Sequence, residues 1–311
     1  MRTPPESPSE DDVLQIVGTQ WEPRAVRARY LPVGFGAHHW RIDDPDGAAL
    51  FATLDLPAGF RTAELILSAY RGAVELAEEG FTGVVAPLRS RGGEFVAAAA
   101  GGWLSVTPWL DGRSPDEAEA CAPSHVERVV ALLQQLHACP PPRSAPVWSP
   151  RIAPGLAHRM GAELAAPWGA GPLGEEARRL LSGVGDELAT WEARYHGLAA
   201  QARRQRDRWV PTHGEPHHAN QFLDASGLRL VDWETLAVAP PERDLRDLPA
   251  EARTALFVDE EMIALFDLEW RLMEIEVYAH WFRAPHAGSE DDVIALEGLR
   301  EEIAEGRADS G

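Results

Sequence analysis

His213-Gly214-Glu215-Pro216-His217-His218-Ala219-Asn220, followed twelve residues after Asn220 by Asp232 in Val231-Asp232-Trp233-Glu234, is the stretch on which the reading of this chain turns. Glu215 stands five residues before Asn220, and Asp232 sits between the apolar Val231 and Trp233. A carboxylate so placed can accept the proton of a hydroxyl, while an amide oxygen and a second carboxylate offer hard oxygen ligands to Mg²⁺. That set suits transfer of a phosphoryl group, in which a divalent cation neutralises a triphosphate and aligns it for attack. The spacing therefore predicts Glu215 as base, with Asn220 and Asp232 as metal ligands. A zinc site from His213, His217 and His218 is the rival reading, but no further ligand-type residue stands at a matching spacing.

The 311 residues suffice for two modest domains or for two lobes around one cleft. Hydrophobic residues at 45% and charged residues at 25% are ordinary globular usage, so disorder is expected only locally. Residues 1–20 are expected to be disordered or loosely ordered, because Pro4, Pro5, Glu6, Ser7 and Pro8 offer nothing to bury. No basic and apolar leader follows Met1, and the weakly polar run Phe95 to Leu104 is far shorter than the roughly 20 apolar residues a bilayer span requires. A cytoplasmic protein without a membrane partner is expected. Cys121 and Cys139 show no CxxC spacing, which disfavours a disulfide scaffold and a thiolate metal site. The net charge of −20, from 29 basic and 49 acidic side chains, argues against nucleic acid as a partner. An acidic field would instead concentrate a cationic small molecule, although acidity also simply maintains solubility.

Outward from the opening segment, residues 21–107 read as a sheet-containing lobe and 108–311 as a larger, mostly helical one. Arg27 to Val33, His38 to Ile42 and Ala49 to Leu54 are short strand-like runs, the last two joined by the turn Asp43-Asp44-Pro45-Asp46-Gly47. Thr62 to Glu79 has helical spacing, and strand-like segments return at Val84 to Leu88, Glu94 to Ala98 and Trp103 to Thr107. After Pro108, Val126, Val129, Val130, Leu133, Leu136 and His137 mark an amphipathic helix with Ser124 as its expected cap. Helices are also expected near Leu156 to Ala165, over Glu175 to Arg206 with an interruption at Gly183 and Gly185, and over Glu260 to Phe282 and Asp291 to Glu305. Between them, Phe222-Leu223 and Leu228 to Val231 read as strands around the turn at Asp224 to Gly227.

This ordering, together with the HxE-x4-N motif at His213 to Asn220 and the later Asp232-Trp233-Glu234, resembles the aminoglycoside phosphotransferase family. It resembles in particular actinobacterial members related to spectinomycin phosphotransferases, from about Trp21 to Leu299. The resemblance implies an α+β, bilobal protein-kinase-like fold, with ATP or GTP as phosphate donor and a small, cationic or polyhydroxylated molecule as acceptor. Antibiotic modification is one role it implies. His213 would support the loop, and Asp244 in Ala239-Pro240-Pro241-Glu242-Arg243-Asp244-Leu245 would hold it by hydrogen bonds. Gly34 and Gly36 fall in the nucleotide-covering turn, and Ser105, Val106 and Thr107 fall in the hinge that meets the purine. Glu234, Glu274, Glu276 and Tyr278 are the acidic and aromatic residues expected to meet the acceptor, against the ordinary alternative of a solvated helix face. Trp270, Trp281 and Phe282 are expected in the core.

Two departures from the family pattern stand out. The base is glutamate rather than aspartate, which changes little, since the reference pKa values are about 4.3 and 3.9 and Pro216 restricts Glu215 to extended backbone geometry. The other is larger. Every one of the 29 basic residues is arginine, and the position of the family's phosphate-clamping lysine falls on Thr53. A hydrogen bond to a charged group contributes about 1.5–3 kcal/mol, so losing the lysine costs on the order of tenfold to a hundredfold in phosphate positioning. Arg41 is the first candidate to replace it, although it is expected to face solvent. The missing lysine also motivates a second reading, a catalytically weak or inactive kinase-like protein that binds a nucleotide or another ligand.

Overall fold

The computed structural model describes residues 1–34, 36–56, 62–256 and 258–308. In chain order the elements begin with α1 (Glu10–Gln20), β1 (Arg27–Leu31), β2 (Ala37–Asp44), β3 (Gly47–Asp55), α2 (Ala63–Glu78), β4 (Val96–Ala99) and β5 (Gly102–Pro108). There follow β6 (Gly112–Arg113), α3 (Glu117–Ala120), α4 (Pro123–Ala138), α5 (Leu156–Leu164), α6 (Gly174–Ser182) and α7 (Gly185–Arg203). The chain continues through β7 (Val210–Thr212), β8 (Gln221–Asp224), β9 (Gly227–Leu230), β10 (Ala237–Ala239), α8 (Glu242–Leu245) and α9 (Ala250–Ala255). It ends in α10 (Glu260–Arg283) and α11 (Glu290–Ala308).

These elements form two compact units, one comprising 1–148 with 207–258 and the other 149–206 with 259–311. The boundary expected at 107/108 falls inside the first unit. That unit contains an antiparallel five-stranded sheet in the order β1-β2-β3-β5-β4. Because side chains alternate along a strand, Trp40, Ile42, Leu50, Ala52, Leu54, Leu104 and Val106 share one face, which packs against Val13 and Val17 of α1. Residues 39, 41, 51, 53, 55 and 105 therefore point to the other. A second core joins Ala69, Ala73 and Leu76 of α2, Val129, Leu133 and Leu136 of α4, and Leu230, Trp233 and Leu236.

Four expectations are corrected. Residues 10–20 are a helix, because Ser9 and Asp12 form a reciprocal capping box and Val13 and Val17 are fully buried; the Pro-rich composition ends just before that cap. Val84 to Leu88 is no strand but meets Leu230 in an isolated parallel bridge, with Leu88 N donating to Val106 O at 2.8 Å. Helix α4 starts at Pro123 with Ala122 as its cap, so Ser124 lies inside it; proline suits the first helical position because its missing N–H would be unpaired there anyway. Arg41 is not free in solvent: Nε donates to Asp43 at 2.6 Å and the guanidinium lies 4.9 Å from the Trp109 ring centroid.

The second unit is helical. The Glu192 carboxylate caps α5, accepting from the amides of Gly155, Leu156 and Ala157 at 2.5, 3.0 and 2.8 Å, which satisfies donors the helix leaves unpaired. Gly183 ends α6 and Gly185 opens α7. Phe282 is fully buried, whereas Trp270 and Trp281 are only half-buried. Each of these indoles donates to a carboxylate, of Glu302 at 2.9 Å and of Asp292 at 2.7 Å, so polar edges hold them at the rim of the core.

Candidate functional site

The loop at 213–220 leaves β7, which pairs antiparallel with β10. His213 is fully buried; its Nε2–H donates to Val231 O at 2.8 Å and its Nδ1 accepts from Glu215 N at 3.3 Å. Both ring nitrogens are thus committed within the neutral imidazole. Burial pushes the His213 pKa down to about 4, against the smaller opposing effects of Asp244 and the Val231 carbonyl. Gly214 has φ of +101°, and a Cβ there would fall 2.2 Å from Arg243 Nη2, so only glycine lets the guanidinium lie on the loop. Arg243 is itself buried, donating to Thr212 Oγ1 and Thr235 O, both at 2.9 Å.

Asp244 is fully buried and accepts from His213 N at 3.0 Å, Gly214 N at 2.6 Å and His137 Nε2 at 2.9 Å. Burial alone would raise its carboxyl, but the His137 bond and the nearby Arg243 guanidinium outweigh this and hold it below the usual carboxylate range. Two adjacent amide side chains grip the other end of the loop: Asn220 Nδ2 donates to Glu215 O at 2.9 Å and Gln221 Nε2 to Pro216 O at 2.7 Å. Gln221 Oε1 in turn accepts from His125 of α4 at 2.6 Å.

Asn220 O accepts from Val231 N at 3.0 Å, which ties the loop to the residue before Asp232. Asp232 is exposed and has φ of +68°, in the left-handed region where non-glycine residues are uncommon and where strain accompanies functional placement. Glu215, Asn220 and Val231 are thereby tied through one hydrogen-bonded ring: Glu215 to Asn220, Asn220 to Val231, and Val231 back to His213. The Asn220 amide nitrogen is spent on Glu215 O, which leaves its side-chain oxygen outside that bond. Among the described residues no group of three or more His, Cys, Asp or Glu is arranged to hold a metal, so the zinc alternative finds no ligand set.

On the sheet, Thr53 of β3 faces His39 of β2 and Ser105 of β5 as direct cross-strand partners. Tyr70 of α2 donates to Asp55 Oδ2 at 2.9 Å, and Ser105 Oγ meets the Tyr70 hydroxyl at 3.4 Å. Burial and the charges of Asp55, Glu234 and Asp232 hold the Tyr70 hydroxyl protonated, its pKa well above the usual value. Those charges link the sheet face to the Asp232 region within the first unit. Gly34 and Gly36 both have positive φ, of +69° and +87°, while Phe35 between them lies outside the described residues. Val106 points into the core and its carbonyl accepts from Leu88, so that carbonyl is already occupied. Glu234 is buried in the first unit. Glu274, Glu276 and Tyr278 belong to α10 in the second: Glu276 lies 3.6 Å from Arg159, and Tyr278 is buried against Gly298 and hydrogen-bonded to Glu274.

Sequence reasoning passed over His39, Asp55 and Tyr70, and placed His137 on the periodic face of α4 without its partner Asp244. Strand alternation could have put His39 and Asp55 on the face of Thr53, and the helical spacing of α2 could have put Tyr70 on its buried side. His137 depended on which turn of α4 meets α8, which no local pattern encodes.

An antiparallel sheet preceding a helical region, with an acid–amide loop and a following aspartate after a hairpin, is the arrangement of a kinase-like fold. Residues 27–293 match the phosphotransferase enzyme family named APH, and the chain belongs to it. It is 32% identical over 254 residues to Protein StrN of Streptomyces griseus, covering 78% of each chain. Among solved structures, spectinomycin phosphotransferase APH(9)-Ia in complex with ADP and spectinomycin is similar at TM-score 0.73 and 13% identity, over 97% of this chain and 99% of that one. The amicoumacin kinase hAmiN in complex with AMP-PNP, Ca²⁺ and Ami follows at TM-score 0.62 and 16% identity, over 96% and 94%. Choline kinase LicA of Streptococcus pneumoniae gives 0.57 and 13%, over 95% and 99%. These likenesses establish the kinase-like fold. No helix among the described residues is long and apolar enough to cross a membrane.

Proposed function

We propose that this protein moves the terminal phosphate of ATP or GTP to a hydroxyl of an aminoglycoside-like or other small, cationic or polyhydroxylated molecule. The observation that carries the reading is the hydrogen-bonded ring that fixes Glu215, Asn220 and the approach to Asp232 in one loop. Glu215 would take the proton of the acceptor hydroxyl. An amide oxygen and an exposed carboxylate are hard donors that fit Mg²⁺, which keeps its remaining sites for water and phosphate oxygens. When bound by Asn220 and Asp232, Mg²⁺ would supply charge neutralisation and alignment of the triphosphate. His213 and Asp244 act by holding the loop, and neither touches the reacting atoms.

Gly34, Gly36, Thr53, Ser105 and Thr107 are proposed to line the donor, with Val106 acting through its neighbours. Spectinomycin, ADP and AMP-PNP in the complexes of similar structures support a small acceptor and a nucleotide donor. Glu234, buried in the first unit, is the proposed acceptor contact there. We read the protein as cytoplasmic, where such donors are available.

The absence of lysine at Thr53 favours a second reading, a weak or inactive kinase-like protein that binds a nucleotide or other ligand. Incubation of the purified protein with Mg²⁺, γ-labelled ATP or GTP and a panel of amino-sugars and nucleosides separates the two. Labelled acceptor supports the transferase; tight nucleotide binding without label over long incubation supports the inactive relative; neither binding nor label removes both.

A further inference from the structure

The polar face of the five-stranded sheet carries a histidine that has no part in the reaction as proposed. His39 and Thr53 are direct cross-strand partners, with Nδ1 and Oγ1 3.2 Å apart. The opposite edge of the imidazole faces the glycine-bearing turn: a Cβ on Gly34 would lie 3.2 Å from His39 Nε2. Phe51 packs on the ring at 5.1 Å between centroids and 30° between planes, and His39 is only 9% exposed. The imidazole is therefore fixed on three sides, between the strand position that a lysine would occupy and the turn that would cover a nucleotide.

We propose that the His39–Thr53 pair stands in for the missing lysine: the Thr53 hydroxyl donates to Nδ1, the imidazole proton is thereby held on Nε2, and Nε2–H donates to a phosphate oxygen of a nucleoside triphosphate beneath Gly34. The assignment rests on the donor role proposed for this face. A neutral imidazole has one donor and one acceptor nitrogen, and the partner of one decides the state of the other. Burial, followed by the positive charge of the N-terminal amine and of His38, lowers the His39 pKa to about 3, so the ring works as a neutral donor near neutral pH. Arg41, the cation next along the same face, is occupied by Asp43 and Trp109. The glycine at 34 has a matching reason, since any side chain there would occupy the space in front of Nε2.

Calorimetry of Mg·ATP and Mg·GTP, and of adenosine and guanosine alone, on the full-length protein tests the assignment. His39→Phe keeps the aromatic packing but has no N–H, so it weakens triphosphate binding by about tenfold or more while nucleoside binding stays within about twofold. Thr53→Val, which frees the tautomer, loses less than His39→Phe. His39→Gln, whose amide nitrogen reaches the position of Nε2, retains triphosphate affinity within about threefold of wild type. If His39→Phe fails to fold, His39→Asn, too short to reach, shows the same loss. Triphosphate affinity unchanged in these variants, or nucleoside affinity falling in parallel with it, overturns the role of His39 and leaves the phosphotransferase reading standing. A wild type that binds neither nucleotide sinks that reading and this one with it.

Discussion

The loop at His213 to Asn220 and the polar face of the N-terminal sheet hold their functional groups in different ways. In the loop, buried side chains bond to backbone: Asp244 to the amides of His213 and Gly214, Asn220 and Gln221 to the carbonyls of Glu215 and Pro216, Thr235 to the carbonyl of His213. On the sheet, strand register sets the backbone and the polar groups bond side chain to side chain, His39 to Thr53 and Tyr70 to Asp55. A changed residue in the loop moves the backbone that carries Glu215. A changed residue on the sheet face leaves the strands where they are, and this is how a lysine can be absent while the loop keeps its form.

The comparison breaks most readily at Asp244. Asp244→Ala leaves two buried amides and His137 without their acceptor, and loss of one partner from such a buried set costs about 3–5 kcal/mol. The urea midpoint should fall accordingly, whereas Thr53→Val on the sheet should move it by less than about 1 kcal/mol. Equal losses would remove the distinction between the two regions.

A smaller effect sharpens it. Each region contains one histidine with a depressed pKa, His213 at about 4 and His39 at about 3. Between those values and the unfolded value of about 6.5, the unfolded chain binds more protons than the folded one, so stability is present above pH 6.5 and lost as pH falls. From pH 6.5 to 5 each should remove about 1.6 kcal/mol, partly offset by Glu302, whose carboxyl is raised by burial to about 7, and urea titrations across that window should show His39→Phe losing about 1.6 kcal/mol less stability than wild type.

The HxE-x4-N spacing, Asp232 and the order of sheet and helices were legible because they lie in local sequence, at fixed offsets and in periods of two or 3.6. The first helix was also legible in principle, through Ser9 and Asp12, but composition outweighed a two-residue cap. Val84 to Leu88 has a strand's residues and lacks a ladder, since its partner Leu230 is distant in sequence and already paired in the β8–β9 hairpin. The surroundings of Thr53 were hidden for the same reason. His39, Ser105, Tyr70 and Asp55 come from four elements, and only the register of β2, β3 and β5 brings them together.

Turnover and nucleotide binding measured on one preparation each of wild type, Glu215→Ala and Asp232→Ala test the central claim most directly. Glu215→Ala should lose about 10²- to 10⁴-fold in phosphate transfer while binding Mg·nucleotide within about threefold of wild type, and Asp232→Ala should lose the Mg²⁺ dependence of nucleotide binding. Transfer by Glu215→Ala at the wild-type rate, or Mg²⁺-dependent binding unaffected in Asp232→Ala, would contradict the account.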